Sequence, residues 1–328
     1  MVARKWLFVA GCGLSAAFLA AILWRLDWPV FAAELRRLRF AWLAAAVIFI
    51  VAGIALRSFR WNLVAGAPLA SYPAFWNAAV IGLTINQIYP LRAGEIVRIF
   101  ALRKMTALPL GQAATSALID RLADVLLLGI SAIAVVAARS GIFHAEKLAA
   151  GTLLVVVAAL AALFAFTKWD RIWRGWIVRW SARASVRFQE RIERFYSGAL
   201  ATARLIASPA RLVQIVALTT VIFAFDFAIM FSVLKAFEWD LPAIASVTIL
   251  VFLAIGTSLP SAPGYAGVYQ VACILALSLF GVGESQAVAY SVVLQVCVLA
   301  TIVALAGVLA ARHRVDLKLV RGALVKIT

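Results

Sequence analysis

Charged side chains are scarce in this chain of 328 residues, because Asp, Glu, Lys and Arg together make up only 14% of it. Soluble domains average about 25% charged residues, and no segment here is both polar and long enough to form a separate soluble domain. The low charge excludes a water-soluble globular protein. Hydrophobic residues reach 65% and the mean hydropathy is +1.02, so most of the chain requires lipid as its solvent.

Residue types that hold metals or act as nucleophiles are also few. The three cysteines, Cys12, Cys273 and Cys297, lie in apolar runs without ligand spacing, and the two histidines, His144 and His313, stand alone. A zinc or di-metal centre needs a cluster of such side chains. We therefore expect no metal and no cofactor, and no nucleophile with an adjacent base is present to indicate an enzyme.

Acidic residues are outnumbered, which leaves a formal net charge of +17. In a soluble protein this excess would indicate nucleic-acid binding. In a membrane chain, basic residues in short loops instead set the orientation and face anionic lipid. We expect the lipid bilayer, and no nucleic acid, as the partner of these charges.

The hydrophobic segments predict an all-α fold. We expect one integral membrane domain, a polytopic transmembrane helical bundle with about eight crossings plus broken or re-entrant segments, and an inverted repeat relating its halves. The positive-inside rule places the basic segments in the cytoplasm of a bacterial cell with the bundle in its inner membrane. The expected parts are a first half (1–167), a basic segment (168–211), a second half (212–311) and a basic tail (312–328).

The basic segment 168–211 carries ten Lys or Arg against three acidic residues, a net charge of +7. Its arginines and its aromatic residues each recur at helical spacing, which predicts a basic amphipathic helix on an anionic leaflet. The apolar stripe consists of Trp173, Trp176, Trp180, Phe188, Ile192 and Phe195.

A first interruption of the apolar pattern lies at Ile85–Arg98, INQIYPLRAGEIVR. The run before it, Phe75–Tyr89, would make a helix of only about 22 Å. The hydrocarbon core is about 30 Å thick, so we predict a re-entrant half-helix that stops at Pro90 and a cytoplasmic N-terminus. A full crossing, with the N-terminus outside, is the alternative.

A second interruption, Gly256–Gln270, lies in the other half. Pro260, Pro263, Gly264 and Gly267 predict an unwound turn at membrane depth. Freed backbone groups there must meet protein, water or substrate. One such break in each half is typical of a transport site, although a plain inter-helix turn is the simpler interpretation.

Two arginines flank the first break. Arg92 and Arg98 lie on either side of Gly94-Glu95, and the planar guanidinium fork suits two phosphate oxygens. The alternative is that both arginines are simple topology charges. Glu95 is expected to pair with Arg92 or Arg98.

Three ionisable residues lie within the apolar run Leu108–Val136. Asp120 and Asp124 are one helical turn apart, with Arg121 beside them. Such charges are costly in lipid, so we expect them to face the bundle. They form an internal ion-pair network, a partner for the arginines of the first break, or a proton-coupling site.

Other charges lie at the ends or within the spans. Arg57 and Arg60-Trp61 follow the run Ala41–Leu56 and are interpreted as snorkelling and belt residues at a membrane edge. Asp226 is a single carboxylate in FAFDFAIMF, and the sequence identifies no partner for it.

The order and spacing of these motifs resemble the lysylphosphatidylglycerol synthase transmembrane-region family over roughly residues 5–312. The resemblance implies a helical bundle that moves a lipid or lipid head group across the bilayer. It does not imply aminoacyl transfer, which a soluble C-terminal domain performs in fused relatives. Tyr265 and Gln270 depart from the family pattern and bear on substrate identity. The motifs are Asn86, Pro90, Arg92, Gly94-Glu95 and Arg98, then Asp120-Arg121-x-x-Asp124, then Pro263-Gly264-x-x-Gly267.

The leading hypothesis is therefore a lipid flippase or lipid transporter rather than an enzyme. Its substrate would be an anionic phospholipid or a polyprenyl or hopanoid-type lipid. The alternatives are a membrane-embedded lipid-modifying transferase with Glu95 or Asp120 as base, and a non-catalytic partner of a lipid-pathway enzyme. The candidate substrate-binding residues are Asn86, Gln87, Arg92, Glu95, Arg98, Asp120, Arg121, Asp124, Pro263, Gly264, Gly267 and Tyr269.

Overall fold

All regular structure in the described part of the chain is helical, in a computed structural model that contains no strand there. The all-α prediction is confirmed. Outside the described residues lie Pro90, Pro260 and the ranges 139–147 and 314–328. The structure describes residues 17–89, 92–138, 164–181, 185–258 and 262–313, with the separate residues 13, 15, 151, 154, 158, 161 and 162.

Residues 17–25 are helical and precede the first helix with described bounds. The helices with described bounds are α1 (Trp28–Arg36), α2 (Phe40–Val64), α3 (Tyr72–Ile88), α4 (Gly94–Met105), α5 (Leu110–Ala138), α6 (Asp170–Ser181), α7 (Val186–Ile206), α8 (Pro209–Ala236), α9 (Ile244–Gly256), α10 (Val268–Ser278) and α11 (Glu284–His313).

Three of these helices are long and apolar enough to cross a membrane. They are α2, α8 and, up to Arg312, α11, with mean hydropathies of 2.2, 2.2 and 2.7. A helix of 25 residues is about 38 Å long, which exceeds the hydrocarbon thickness of about 30 Å. A multi-pass membrane protein is therefore confirmed, whereas the eight crossings and the inverted repeat stay predictions.

The main hydrophobic core joins the second half to α2. Val233 of α8, Ile249 of α9, Leu277 of α10 and Leu294 of α11 are fully or almost fully buried there, beside Ala46 of α2. These helices are apolar on nearly every face, so the core-facing sides pack together while other sides remain available to lipid. This core holds the second break against the first half.

The first break is a hairpin of two short helices, α3 and α4. The structure corrects the predicted bounds Phe75–Tyr89 to 72–88, because the helix begins one turn earlier. At 17 residues, α3 is about 25 Å long, still shorter than the hydrocarbon core, and re-entrance stays a prediction. The two helices touch at glycines: a methyl group on Gly94 would overlap the carbonyl oxygen of Gly82 and lie 2.6 Å from Oδ1 of Asn86.

The second break is a hairpin with even shorter arms. Helices α9 and α10 have 13 and 11 residues and are linked through a 3-10 turn, Pro263–Tyr265. Gly264 and Gly267 adopt positive φ angles of 69° and 82°, which glycine reaches without the steric cost of a side chain. The predicted unwound turn is confirmed for residues 262–267.

The basic segment forms two helices, α6 and α7, so the prediction of one amphipathic helix is wrong in that respect. Ser185, which precedes α7, has an extended backbone and is not helical. The C-terminal half of α7 packs against α5, where Gly111 and Gly198 allow close backbone approach. Two tryptophans of α6 are largely exposed, Trp176 at 68% and Trp180 at 71%.

Asp170 of α6 connects this helix to α7 through side-chain hydrogen bonds. Its carboxylate accepts hydrogen bonds from Nε of Arg174 at 2.9 Å, from the Tyr196 hydroxyl at 3.0 Å and from Arg204 at 3.1 Å. Lost hydration acts to raise the pKa of Asp170, but the hydrogen bonds from Arg174 and Tyr196 hold this pKa below its ordinary value. Burial and the bond to Asp170 raise the pKa of Tyr196 to about 12, so Tyr196 remains a neutral donor.

Candidate functional site

Arg60 lies at the centre of a buried charge cluster. Its side chain is 0% exposed, so its interpretation as a snorkelling residue at a membrane edge is wrong. Its Nε donates to Asp120 at 2.8 Å, and its terminal nitrogens donate to Asp124 at 2.7 Å and to the Thr219 hydroxyl at 2.9 Å. A fork of five N–H donors can satisfy several acceptors together, which explains how α2, α5 and α8 share one guanidinium group.

A second arginine layer joins the first break to α5. Glu95 of α4 accepts from Nε of Arg121 at 3.0 Å and lies 2.9 Å from Nη2 of Arg121 and 2.9 Å from Nε of Arg98. Arg98 is also 3.6 Å from Asp120 and lies over the Trp61 ring at 4.6 Å. The expected pairing of Glu95 with Arg98 is confirmed, and so is the expectation that Asp120 faces the bundle.

Asp226 has a partner after all. Arg57 donates to its carboxylate at 2.5 Å, which joins α2 to α8. Arg57 is therefore an ion-pair partner of a second helix, and its side chain keeps 29% exposure. The signal for Arg57 and Arg60 was present in the sequence: carboxylates within apolar helices require cations, and these arginines continue the same helix to Val64.

The cluster is balanced in charge and borders a small cavity. Four guanidinium groups face four carboxylates: Arg57, Arg60, Arg98 and Arg121 with Glu95, Asp120, Asp124 and Asp226. The adjacent cavity has a volume of about 130 Å³ and is lined by side chains of the cluster together with Ile54, Ala79 and Leu83. Water occupies about 30 Å³ per molecule, so this space suits a few waters rather than a lipid.

Arg92 connects the two breaks. It has a positive φ of 52°, and its exposed guanidinium donates to the carbonyl oxygen of Thr257 at 3.3 and 3.1 Å, across 165 positions of sequence. Thr257 is the C-cap of α9, where carbonyl groups lack helical partners and a cation is favoured. The tips of the two hairpins thus meet, whereas the expected pairing of Arg92 with Glu95 or Asp120 is not among the described contacts.

A chain of amide hydrogen bonds fixes the second break. Gln270 accepts from the N–H of Gly267 at 2.7 Å and donates to Gln295 at 2.7 Å, and Gln295 donates to the Gly264 carbonyl at 2.6 Å. An amide both donates and accepts. Gln270 can therefore bridge a backbone donor and a side-chain acceptor, which a carboxylate could not do.

The remaining predicted residues have structural positions near the breaks. Oδ1 of Asn86 accepts from the N–H of Gly94 at 2.8 Å, and the Gln87 side chain lies beside Gly264. Pro263 begins the 3-10 turn. Tyr269 is packed in the main hydrophobic core instead of the charge cluster. The candidate residues therefore divide into the cluster, the hairpin junction and the core.

Among the described residues, no group of three His, Cys, Asp or Glu side chains could hold a metal ion.

Residues 8–306 match the family model described as lysylphosphatidylglycerol synthase TM region. The match indicates a membrane protein with a lipid-related function. No curated protein and no solved structure matches the chain.

Proposed function

The chain belongs to the lysylphosphatidylglycerol synthase transmembrane-region family, and from this membership we propose that it is a lipid flippase or lipid transporter. The substrate class is an anionic phospholipid or a polyprenyl or hopanoid-type lipid. The observation that carries the proposal is the junction of the two broken hairpins, made by Arg92 and Thr257, next to a buried charge cluster.

The two hairpins meet tip to tip in a way that suits alternating access. If Arg103 and Lys104 at the end of α4 face the cytoplasm, the α3–α4 hairpin enters from that side, and the α9–α10 hairpin enters from the other side. Helices α4 and α10 begin at this junction, whereas α3 and α9 end there, so helix termini of both polarities are available to the parts of a substrate. Transport would then require the tips to separate and close again.

Arg92 is the residue best suited to sense the substrate. The arginines of the cluster are paired with carboxylates, whereas Arg92 is exposed and bound to a neutral carbonyl oxygen. A lipid phosphate binds a guanidinium group more strongly than a carbonyl does, because both partners are charged. The phosphate would therefore displace Thr257, release the junction and admit the head group.

The buried cluster would keep the two access routes separate. Its charges sum to zero, so a permanent anion is not needed to neutralise it, and the cavity of about 130 Å³ is too small for a head group. Ligand pockets usually reach about 300–1,000 Å³. We infer that this arrangement is an occluded state in which Glu95 and Arg121 hold α4 against α5.

A transferase remains the alternative, with Glu95 or Asp120 as base. A general base needs an available lone pair and a pKa near the working pH. Glu95 is bound by Arg98 and Arg121, and Asp120 is bound by Arg60 and lies near Arg98. Both carboxylates are therefore occupied by guanidinium partners and poorly placed to accept a proton from a substrate, so the transporter is the better supported proposal.

The proposal is tested by lipid movement in liposomes that contain the purified full-length chain. Fluorescent analogues of phosphatidylglycerol and of a polyprenyl phosphate are placed in one leaflet, and their arrival in the other is followed by chemical quenching. The wild-type chain should accelerate this movement. Arg92→Ala should slow it by about tenfold, the value of one charge-assisted contact.

The matched control is Arg36→Ala, which removes an exposed arginine of α1 away from the junction. This variant should move lipid at the wild-type rate. A wild-type chain that accelerates none of the tested lipids would contradict the proposal. Equal rates for Arg92→Ala and the wild-type chain would remove Arg92 from the mechanism.

A further inference from the structure

A second, larger space lies outside the charge cluster, between the α4–α5 connection and α7. This groove has a volume of about 900 Å³, which is within the range of ligand sites of about 300–1,000 Å³. Its walls combine three arginines with apolar side chains. The lining residues are Arg103, Thr106, Ala107, Leu108, Pro109, Leu110, Arg191, Arg194 and Phe195.

The charge of the groove is not neutralised by the described part of the chain. Arg194 has a carboxylate partner, Glu190, at 3.8 Å, and both side chains are well exposed. Ion pairs of the described residues include neither Arg103 nor Arg191. Three guanidinium groups that converge with so little counter-charge favour an anionic ligand, and their planar forks match phosphate oxygens.

Apolar side chains from both the α4–α5 connection and α7 complete the lining of the groove. Leu108 and Leu110 are half-buried, and Phe195 is 44% exposed. Tryptophan side chains are enriched at the level of the lipid head groups, and Trp176 and Trp180 of the neighbouring helix α6 are 68% and 71% exposed. A ligand of this groove therefore has an anionic part and an apolar part, and it lies at the membrane surface.

We propose that this groove binds the head group of an anionic phospholipid from the leaflet on which α6 and α7 lie. Arg103, Arg191 and Arg194 hold the phosphate, and Phe195 and Leu108 contact the glycerol and upper acyl region. The site is separate from the junction of the two hairpins. One bound lipid contacts both the α4–α5 connection and α7. The lipid composition of the leaflet therefore affects the end of the first hairpin.

The test is the preference of the full-length protein for an anionic lipid in phosphatidylcholine vesicles. Spin-labelled phosphatidylglycerol and spin-labelled phosphatidylcholine report the fraction of motionally restricted lipid at the protein. The double variant Arg103→Gln with Arg191→Gln should reduce the preference for phosphatidylglycerol by about thirtyfold, because two charge-assisted contacts are lost.

The matched control is Arg171→Gln with Arg179→Gln. It removes the same charge from exposed positions of α6 outside the groove, and it should retain the preference within about twofold. Free glycerol phosphate should not displace the labelled lipid, because it lacks the acyl chains that contact Leu108 and Phe195.

Equal losses in the two double variants would overturn the proposal in favour of diffuse surface charge. Displacement by glycerol phosphate would assign the groove to a soluble anion, and a wild-type chain without preference would refute the site outright. The readout is binding without transport. A failure here therefore leaves the role of Arg92 intact, and a failure of Arg92 in transport leaves the groove intact.

Discussion

Replacing Arg60 by methionine should lower the stability of the protein, because Arg60 lies at the centre of the buried charge cluster. Methionine has a similar length but offers no donor, so the change removes the contacts to Asp120 and Asp124 at 2.8 and 2.7 Å and the contact to Thr219 at 2.9 Å. The carboxylates stay where the fold places them. Asp120 then keeps only the distant Arg98, at 3.6 Å, as a described cationic partner.

The expected loss follows from burial. Removing one partner of a buried ion pair costs about 3–5 kcal/mol, because the other charge stays buried and unpaired. Asp124 is the less affected carboxylate, since its side chain is 20% exposed and retains Arg121 at 3.2 Å. For a chain of this size the loss corresponds to a fall in melting temperature of roughly 4–7 °C.

The assay is thermal unfolding of the detergent-solubilised protein, followed by intrinsic tryptophan fluorescence and by loss of the monodisperse chromatographic peak. Arg36→Met is the control, because it removes an exposed arginine and should change the free energy of unfolding by less than about 0.5 kcal/mol. Adding Asp120→Asn to Arg60→Met should recover part of the loss, since one unpaired charge disappears.

Equal melting temperatures for Arg60→Met and Arg36→Met would refute the reasoning. That result would mean that Arg60 reaches water at a membrane edge and that the cluster does not depend on it. A double variant less stable than Arg60→Met alone would contradict the electrostatic explanation, because the defect would then lie in packing.

Two further predictions concern contacts away from Arg60. Gly94→Ala should destabilise the chain by about 1–3 kcal/mol, because the methyl group overlaps the Gly82 carbonyl. Gly307→Ala, which meets no atom within 4 Å, is its control in the same thermal assay, and equal stabilities would contradict the close approach. The pKa of Asp170 is lowered in the folded chain, so its contribution is present above the ordinary value of about 4 and is lost as pH falls through the folded value. Amide protection factors of α6 should therefore stay constant from neutral pH to about pH 5 and fall below about pH 4, and Asp170→Asn should lower them already at neutral pH. Unchanged protection factors in Asp170→Asn would show that the Asp170 carboxylate does not stabilise the packing of α6 against α7.

Much of the fold could be predicted from the sequence because hydrophobicity is a local property. Apolar runs longer than the bilayer identify helices such as α8 and α11, and the prolines and glycines near Gly264 identify the second break. The division of the basic segment into α6 and α7 was missed, because the charge and aromatic periodicity continues through the non-helical residue Ser185. Periodicity alone does not indicate where a helix ends.

The candidate site could be predicted in its composition but not in its pairing. Glu95, Asp120 and Asp124 were identified because ionisable groups are costly in an apolar helix. The sequence pattern of their principal partner, Arg60, is that of a snorkelling residue at a membrane edge, since an arginine at the end of an apolar run has the same local pattern in both environments. Only the packing of α2 against α5 distinguishes the two environments.

The sequence by itself determined that this chain is a helical membrane protein with two broken segments and intramembrane charges, because each of these features depends on residues close together in the chain. The tertiary structure decided which charges meet and that the two breaks touch. Arg92 reaches Thr257 and Arg57 reaches Asp226 across 165 and 169 positions. Contacts over such separations depend on how whole helices pack, and helix packing is a property of surfaces that no local pattern specifies.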